Sequence, residues 1–315
     1  MSYFIITGDG LLSKEIVYLL EKQHHQPLVL SRRSGVDITD IDTIRKAIMA
    51  CRLWQPGLVT AIFNTAAWTS VDGAEEHPTE AFRVNALGAE NVARIARELE
   101  APIVHFSTEA VFEDCVLVRS HTGRVSRFKT EIDGVGTTHG VYARSKRLGE
   151  ELVRNVYPEA HVLRVANLYG DGGRNWGSLL RDRLVRAVAV ARLGAEDPSP
   201  VADVRGETGR SVIPTWGRWV AEVALKLSVC AGGIYHVVPS GRPLTWRDFA
   251  ELMGRELTGG SHIRIEPAQF DSMRAWRPQV SGLDSLMLPL RGVDVPSWES
   301  LLSRYLTEER TCTGS

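Results

Sequence analysis

The chain begins with an apolar strand pattern, a glycine turn and an amphipathic helix pattern, YFIITGDGLLSKEIVYLLEKQ (residues 3–23). The turn carries Gly8 and Gly10 just before the first helical positions. Backbone N–H groups and the helix dipole at such a junction attract a pyrophosphate, and the glycines permit its close approach. The order of strand, glycine turn and helix therefore predicts the start of a dinucleotide-binding βαβ unit.

Short apolar runs and helical patterns continue to alternate along the first half of the chain. Further strand patterns lie at residues 28–31, 58–64, 103–107 and 161–165. Helical periodicity lies between them at residues 41–51, 79–99 and 140–155. Near-continuous apolar strands that alternate with helices are typical of a parallel sheet covered on both faces. We therefore expect an α/β fold built on a Rossmann-type, doubly wound parallel sheet.

The second strand pattern ends in Ser31, Arg32 and Arg33. NAD-binding folds place an acidic residue at this strand end to hold the ribose 2′-hydroxyl, whereas an arginine suits a 2′-phosphate. The first acidic residue after this strand, Asp37, comes later. We therefore predict NADPH as the cofactor, with NADH the less favoured candidate, and Ser31, Arg32 and Arg33 as cofactor-binding residues.

The pattern becomes less regular after Gly170. Helical stretches lie at residues 175–192, 214–229, 244–257 and 298–305, with one strand pattern at 234–238. We expect residues 1–170 to form the NADP(H)-binding Rossmann domain. Residues 171–315 are expected to form mainly a smaller C-terminal substrate-binding lobe, partly interleaved with the first domain.

Composition argues against several classes of function. The 315 residues include 37 basic and 38 acidic side chains, a formal net charge of −1, which does not indicate binding to nucleic acid or to a membrane surface. No apolar stretch approaches the roughly 20 residues of a membrane helix. Four cysteines without CxxC spacing, and no signal-peptide pattern, predict a cytoplasmic protein. We expect no metal site, and the sequence leaves the oligomeric state open, with a homodimer as one option.

The segment GVYARSKRLGE (residues 140–150) places Tyr142 and Lys146 one helical turn apart. A free tyrosine has a pKa of about 10, and a nearby cation lowers that pKa. Because residues four apart share a helix face, we expect Lys146 to lower the pKa of Tyr142, directly or through a cofactor ribose. A tyrosine tuned in this way can exchange a proton with a carbonyl oxygen. Thr108 ends a predicted strand, where ligands sit in open α/β sheets, and its hydroxyl would hold that oxygen.

Ten segments in order along the chain carry a family resemblance. They are NTAAWTSVDGAEEHP (64–78), RVNALGAENVA (83–93), IVHFSTEAVF (103–112), FKTEID (128–133), VYARSKRLGEE (141–151), VLRVANLYG (162–170), VADVRGETG (201–209), GIYHVV (233–238), LTWRDFAELM (244–253) and WRPQVSGLD (276–284). Together they resemble the extended short-chain dehydrogenase/reductases, and within these the dTDP-4-dehydrorhamnose reductase group. The resemblance covers nearly the whole chain and implies a Rossmann-type sheet with a small C-terminal substrate lobe.

The resemblance also implies roles for residues at matching positions. The catalytic set would be Thr108 on the substrate carbonyl, Tyr142 as proton donor, and Lys146 on the nicotinamide ribose, with Tyr142 and Lys146 both also binding the cofactor. The other cofactor-binding residues would be Gly8, Gly10, Leu11 and Leu12 at the pyrophosphate, Asp37 and Ile38 at the adenine, and Ala66 and Ala67 after the third strand. The substrate-binding residues would be Thr108, Glu109, Asn167, Trp176 and Arg277.

Several positions depart from the family pattern. The glycine turn is one residue shorter than the usual GxxGxLG, and Ser13 replaces its last glycine. Glu109 stands where aspartate is usual, Ala110 where an aromatic residue is common, and Asn167 where the family often has a tryptophan near the sugar. The departures fall mainly on the substrate side, which predicts retained reduction chemistry with an altered substrate.

The sequence thus predicts an NADPH-dependent reductase that transfers hydride to the keto group of a nucleotide-linked 4-keto-6-deoxy sugar, with Tyr142 as proton donor. One alternative is a nucleotide-sugar epimerase or dehydratase with tightly bound NAD, and Arg32 and Arg33 count against it. A second alternative is a non-catalytic, cofactor-binding regulatory subunit. An intact Thr108, Tyr142 and Lys146 argues for chemistry but leaves that alternative open.

Overall fold

The computed structural model describes most of the chain. The described residues are 2–113, 115, 127–171, 175–192, 201–204, 210–258, 265–267 and 275–312, and for 176, 187–192, 201–204, 265–267 and 309–312 it describes the backbone alone. In chain order the strands are β1 (Tyr3–Thr7), β2 (Gln26–Leu30), β3 (Val59–Asn64), β4 (Ile103–Thr108), β5 (His161–Val165), β6 (Leu168–Tyr169), β7 (Val201–Val204), β8 (Ser211–Val212), β9 (Thr215–Trp216), β10 (Gly233–Val237), β11 (Ile265–Pro267) and β12 (Val280–Ser281).

Helices connect these strands. They are α1 (Leu11–Lys22), α2 (Ile41–Ala50), α3 (Val71–Glu76), α4 (Pro78–Phe82), α5 (Ala89–Glu98), α6 (Val141–Val156), α7 (Trp176–Arg192), α8 (Gly217–Leu227), α9 (Trp246–Thr258), α10 (Met287–Leu290) and α11 (Trp298–Cys312). A π-helical stretch, Arg83–Gly88, joins α4 to α5, and short 3-10 turns follow β2 at Arg32–Ser34 and β4 at Glu109–Val111. Asp40 begins α2 by accepting a hydrogen bond from the Asp42 backbone N–H, as an N-cap residue does.

Within the described residues, six parallel strands form one sheet in the order β2-β1-β3-β4-β5-β10. The chain first adds strands on one side of β1 and then on the other, so the order reverses between β1 and β3. The carboxyl ends of all six strands meet at one edge of the sheet. In such a doubly wound sheet, ligands bind outside that edge at the point of reversal.

Apolar cores lie on both faces of this sheet. Alternate strand residues face opposite sides, so that Ile6 packs in a core with α1 and α8 while Ile5 packs in a core with α2 and α5. Both residues are almost fully buried. Coverage on both faces explains why the strands are apolar along their whole length.

The second half of the chain contributes to both parts of the fold. Strand β10 returns to the edge of the main sheet beside β5, and α8 packs against α1. The remaining elements form short two-stranded pairs, β6 with β9, β7 with β11 and β8 with β12, around helices α7 and α9. In the chain, the first strand of these pairs, β6, comes directly after the carboxyl end of β5. The division at residue 170 stays a prediction.

Among the residues described here, no helix combines the length and the apolar character that a membrane crossing requires. The same residues contain no group of three or more His, Cys, Asp or Glu side chains placed to hold a metal ion.

Candidate active site

A large cavity of about 820 Å³ opens at the carboxyl edge of the main sheet. Its walls come from the turn after β1, the ends of β4 and β5, the start of α6, the α3 region and the segment 276–281. Residues far apart in the chain therefore face one space, between the Rossmann sheet and the second half of the chain. A cavity of this size at this edge lies within the range of small-molecule binding sites.

The glycine turn forms one end of the cavity. Gly8 has a φ of +91°, and a Cβ at this position would lie 3.0 Å from the Ala66 backbone, so that only glycine fits without strain. Gly10 is the N-cap residue of α1 and lines the cavity. Ser13, in place of the family's last glycine, is buried and donates a hydrogen bond of 2.8 Å to the Gly8 carbonyl oxygen. The Ser13 side chain thus stabilises the shortened glycine turn.

The two arginines at the end of β2 differ in position. Arg33 lines the cavity and pairs with Asp9 of the glycine turn at 3.0 Å. Arg32 pairs with Asp37 at 3.4 Å, and it lies outside the cavity lining. Asp37 also accepts a hydrogen bond from the Thr39 backbone N–H, and its pKa is lowered because these interactions outweigh its burial. Arg33 is therefore the better-placed candidate for a cofactor phosphate.

Thr108 and Tyr142 come together above the end of β4. Thr108 is the last residue of that strand and caps the following 3-10 turn, its hydroxyl oxygen accepting a hydrogen bond of 3.1 Å from the Ala110 backbone N–H. Tyr142 is the second residue of α6, whose first turn is fixed by Gly140 with a φ of +78° and by Glu75, which accepts a hydrogen bond of 2.8 Å from the Val141 N–H. Both hydroxyl-bearing side chains line the cavity.

The pKa of Tyr142 is raised, not lowered as the spacing to Lys146 predicted. Burial is the main cause, and the negative charge of Glu109 adds to it, while an interaction with the Thr108 hydroxyl opposes the rise. The prediction was wrong because burial raises the pKa, and the charge that acts on the phenol is the Glu109 carboxylate, not the Lys146 ammonium. The neutral phenol is consequently favoured at neutral pH.

Lys146 is buried beneath the cavity. Its Nζ donates a hydrogen bond of 2.6 Å to the Phe106 carbonyl oxygen of β4, and the side chain is 3% exposed. Burial lowers the pKa of Lys146 to about 8, with the Glu150 charge opposing this shift. The ammonium form still predominates at neutral pH, so Lys146 keeps two N–H donors beyond the Phe106 contact.

Glu109 and Asn167, two departures from the family pattern that line the cavity, belong to one hydrogen-bond network. Thr108 Oγ1 donates to Glu109 Oε2 at 2.9 Å, and Ser281 Oγ donates to Glu109 Oε1 at 2.7 Å. Asn167 Nδ2 donates to Ser281 Oγ at 2.8 Å. Asn167 has a φ of +47°, a conformation that asparagine tolerates better than most residues. Asn167 therefore joins the end of β5 to the C-terminal segment.

Arg277 also joins the two halves of the chain. Its guanidinium binds both carboxylate oxygens of Asp72 in α3, at 3.1 and 2.8 Å, and Asp72 accepts a further hydrogen bond from the Ala275 N–H. Beside it, the Trp276 ring packs on His139 with ring centres 5.0 Å apart. Arg277, Trp276 and His139 form the outer wall of the cavity.

The predicted site residues divide into two groups. Those that line the cavity are Gly10, Leu11, Leu12, Arg33, Thr108, Glu109, Tyr142, Asn167 and Arg277. Those that stand outside its lining are Gly8, Ser31, Arg32, Asp37, Ile38, Ala66, Ala67 and Lys146. Ile38 is a core residue, 5% exposed, so that an adenine contact through its side chain stays a prediction. The Trp176 side chain lies outside the described residues.

Sequence reasoning missed several cavity residues. Ser107 precedes Thr108, is 3% exposed, and its hydroxyl has no partner among the described residues. Ser281, Arg210, Trp246 and Trp276 also line the cavity. Three of these lie in segments that resemble the family, and that resemblance is the signal that could have found them. A buried hydroxyl without a protein partner is uncommon, and it marks Ser107 as a group to which a ligand can bind.

Comparison with known proteins identifies the family. The family described as the RmlD substrate binding domain matches residues 1–311. The chain belongs to this family. A dTDP-4-dehydrorhamnose reductase of Streptomyces griseus is 31% identical over 311 residues, which cover 95% of this chain and 91% of that protein. The spore coat polysaccharide biosynthesis protein SpsK of Bacillus subtilis is 28% identical over 98% of both chains.

Solved structures agree with this membership. A dTDP-4-dehydrorhamnose reductase of Bacillus anthracis, crystallised with NADP, is 27% identical and superposes with a TM-score of 0.74 over 98% of this chain and 99% of that one. A dTDP-4-dehydrorhamnose reductase of Clostridium acetobutylicum is 26% identical and superposes with a TM-score of 0.75 over 98% of this chain and 99% of that one. The family and the α/β Rossmann-type fold predicted from the sequence are confirmed.

Proposed function

We propose that the protein is an NADPH-dependent oxidoreductase that reduces the keto group of a nucleotide-linked 4-keto-6-deoxy sugar. The observation that carries this proposal is the pair of Thr108 and Tyr142 side chains at the wall of the cavity, with the phenol held neutral. The relatives named as dTDP-4-dehydrorhamnose reductases, one of them bound to NADP, support it.

The glycine-turn end of the cavity fits a dinucleotide. A Cβ at Gly10 would extend into open space, and the N-terminus of α1 supplies backbone N–H donors for a pyrophosphate. The unpartnered Ser107 hydroxyl supplies a further buried hydrogen-bonding group. NADPH bound there would supply the hydride. Gly8, Leu11, Leu12, Ala66 and Ala67 would shape its site, with Ser31, Arg33, Asp37 and Ile38 at the adenosine end.

Tyr142 would protonate the carbonyl oxygen. A raised pKa keeps the phenol protonated, which is the state a donor needs in the direction of reduction. Thr108 would hydrogen-bond the same oxygen from the end of β4. Lys146, charged at neutral pH and held by the Phe106 carbonyl, would bind the nicotinamide ribose with its remaining N–H groups.

The outer wall would hold the nucleotide part of the substrate. Arg277 uses three of its five N–H donors in the described contacts, two on Asp72 and one on the Ala275 carbonyl oxygen. The remaining donors are available to a diphosphate. Glu109, Asn167 and Trp176 would lie on the sugar side, as the family resemblance implies. A homodimer in the cytoplasm stays a prediction.

The test is an initial-rate assay of NADPH oxidation with dTDP-4-dehydro-L-rhamnose, with NADH run alongside. We expect saturable turnover that favours NADPH. A second measurement separates the reductase from the two alternatives. The purified protein is denatured, and the nucleotide that it releases is identified and quantified. Stoichiometric NAD would favour the epimerase or dehydratase, and NADPH binding without turnover of any keto sugar would favour the regulatory subunit.

Arg33 should control the choice of cofactor. Replacing Arg33 with alanine removes the guanidinium that lines the cavity, and we expect the KM for NADPH to rise roughly tenfold or more, as loss of a charged hydrogen bond predicts. The KM for NADH should change little. Arg32→Ala is the matched control, because Arg32 pairs with Asp37 outside the cavity lining. Equal effects of both variants on NADPH, or equal loss of NADH, would contradict this assignment.

Ser107 should contribute to NADPH affinity but not to the stability of the protein without ligand. In Ser107→Ala we expect the melting temperature without ligand to be unchanged or higher, because a buried hydroxyl without a partner is removed. The rise in melting temperature on adding NADPH should be smaller, with affinity reduced roughly tenfold.

Ser228→Ala is the matched control, since Ser228 is equally buried but donates to the Leu225 carbonyl at 2.8 Å. The Ser228→Ala variant should have a lower melting temperature without ligand, and the rise in its melting temperature on adding NADPH should equal that of the wild type. A Ser107→Ala protein that melts lower and keeps the full increment would show a purely structural serine.

A further inference from the structure

A directed chain of hydrogen bonds ends at the Thr108 hydroxyl. Asn167 donates to Ser281, and Ser281 donates to Glu109. Glu109 Oε2 in turn lies 2.9 Å from Thr108 Oγ1. The first bond can only run from Asn167, because an N–H₂ group can only donate, and an ionised Glu109 carboxylate can only accept from Ser281. The direction of the last bond depends on whether the Glu109 carboxyl carries a proton.

The proton count at Thr108 decides what that hydroxyl can do. A hydroxyl donates one hydrogen bond and accepts two. Thr108 already accepts from the Ala110 N–H. When Glu109 is ionised, the single Thr108 proton is directed to its carboxylate and cannot reach a substrate oxygen. When Glu109 is neutral, its own O–H can donate to Thr108, and the Thr108 proton becomes available to the cavity.

We propose that Glu109 is a positioning residue whose neutral form releases the Thr108 proton to the carbonyl oxygen of the substrate. The inference rests on the proposed reductase function and deepens it. Ser281 and Asn167 act behind Glu109 by fixing its other oxygen. Glu109 and Asn167, two departures from the family pattern, thus belong to the same hydrogen-bond chain that ends at Thr108.

The surroundings of Glu109 favour the neutral form. Burial raises the pKa of Glu109, and the hydrogen bonds from Ser281 and Thr108, with the charge of Arg210, oppose the rise. Tyr142 faces it from α6 and carries no charge at neutral pH. A carboxyl with a raised pKa stays protonated to a higher pH than an ordinary glutamate. Turnover should therefore be high at low pH and fall as the pH rises through the Glu109 pKa.

Glu109→Gln tests the proposal, because a glutamine imitates the neutral acid. Its amide N–H can donate to Thr108 while its oxygen still accepts from Ser281. We expect kcat within about tenfold of the low-pH plateau of the wild type, and a kcat profile that no longer falls with rising pH. The assay uses the full chain at saturating NADPH and keto sugar. Melting temperature and NADPH affinity, measured in parallel, establish that the variant is folded.

Ser281→Ala gives a second, independent measurement. Loss of its hydrogen bond to the carboxylate should raise the Glu109 pKa, moving the fall of kcat up by roughly one pH unit. Glu151→Gln, an exposed glutamate on α6 that pairs with Arg147, is the control and should keep the wild-type profile.

The proposal is overturned if Glu109→Gln keeps the wild-type pH dependence or loses more than about tenfold of the plateau, since the ionised carboxylate would then be required. It is also overturned if the Ser281→Ala profile does not move. Failure of the reductase function itself is distinguishable, because the wild type would then show no turnover at any pH.

Discussion

Tyr142→Phe should lower turnover of the keto sugar by about 10²–10⁴-fold, the range expected when a general acid is removed. The phenol is the group that would donate the proton, and phenylalanine keeps the ring while deleting only the hydroxyl. Affinity for NADPH should stay within about threefold, because the remaining cofactor contacts are unchanged. Initial rates at saturating substrate and a separate NADPH titration measure the two quantities.

Tyr157→Phe is the matched control for this variant. Tyr157 ends the same helix, α6, and lies outside the cavity lining. Its loss of a hydroxyl should leave turnover unchanged. If Tyr142→Phe turns over like the wild type, Tyr142 has no part in the mechanism. If it loses NADPH binding in proportion to turnover, its role is in cofactor binding instead.

Arg164→Met should destabilise the protein by about 3–5 kcal/mol, the usual effect of removing one member of a buried ion pair. Arg164 on β5 binds Glu150 on α6 through two hydrogen bonds, of 3.0 and 2.7 Å, and both side chains are almost fully buried, at 4% and 6% exposure. The variant leaves the buried Glu150 carboxylate of α6 without its guanidinium partner. Denaturant unfolding of both proteins measures the change.

Two comparisons separate the buried pair from ordinary surface electrostatics. Arg94→Met breaks an exposed pair with Glu90 on α5 and should cost about 1 kcal/mol or less. The double variant Arg164→Met with Glu150→Leu should recover most of the lost stability, because no unpaired charge remains. If Arg164→Met costs no more than Arg94→Met, the buried pair does not hold α6 against the sheet.

The parts of the fold set by local pattern were predictable from the sequence. Strand β5 spans the predicted residues 161–165, and β1 lies in the predicted apolar run before the glycine turn, because apolar residues predominate in both segments. Helix α1 begins at the predicted residue, immediately after the glycine turn. By contrast, α3 was not predicted, since its sequence VDGAEE has no apolar face and the helix begins with a cap from Ser70.

The electrostatics of the site could not be read from local spacing. A four-residue interval correctly puts Tyr142 and Lys146 on one helix face, but the lysine amine binds the Phe106 carbonyl instead. The charge that acts on the phenol belongs to Glu109, which reaches it from another element. Likewise, the bond between Ser281 and Glu109 joins residues 172 positions apart, and no periodicity in the sequence reports such a contact.

The most direct measurement follows the hydride. The purified protein is incubated with NADPH that carries deuterium on its transferable position and with dTDP-4-dehydro-L-rhamnose, and the product sugar is examined by NMR and mass spectrometry. Our account predicts deuterium at C4 of an alcohol product, with one NADPH oxidised per ketone reduced, and almost none in Tyr142→Phe over the same time. A wild-type protein that binds NADPH yet transfers no deuterium to this or any other keto sugar would contradict the account.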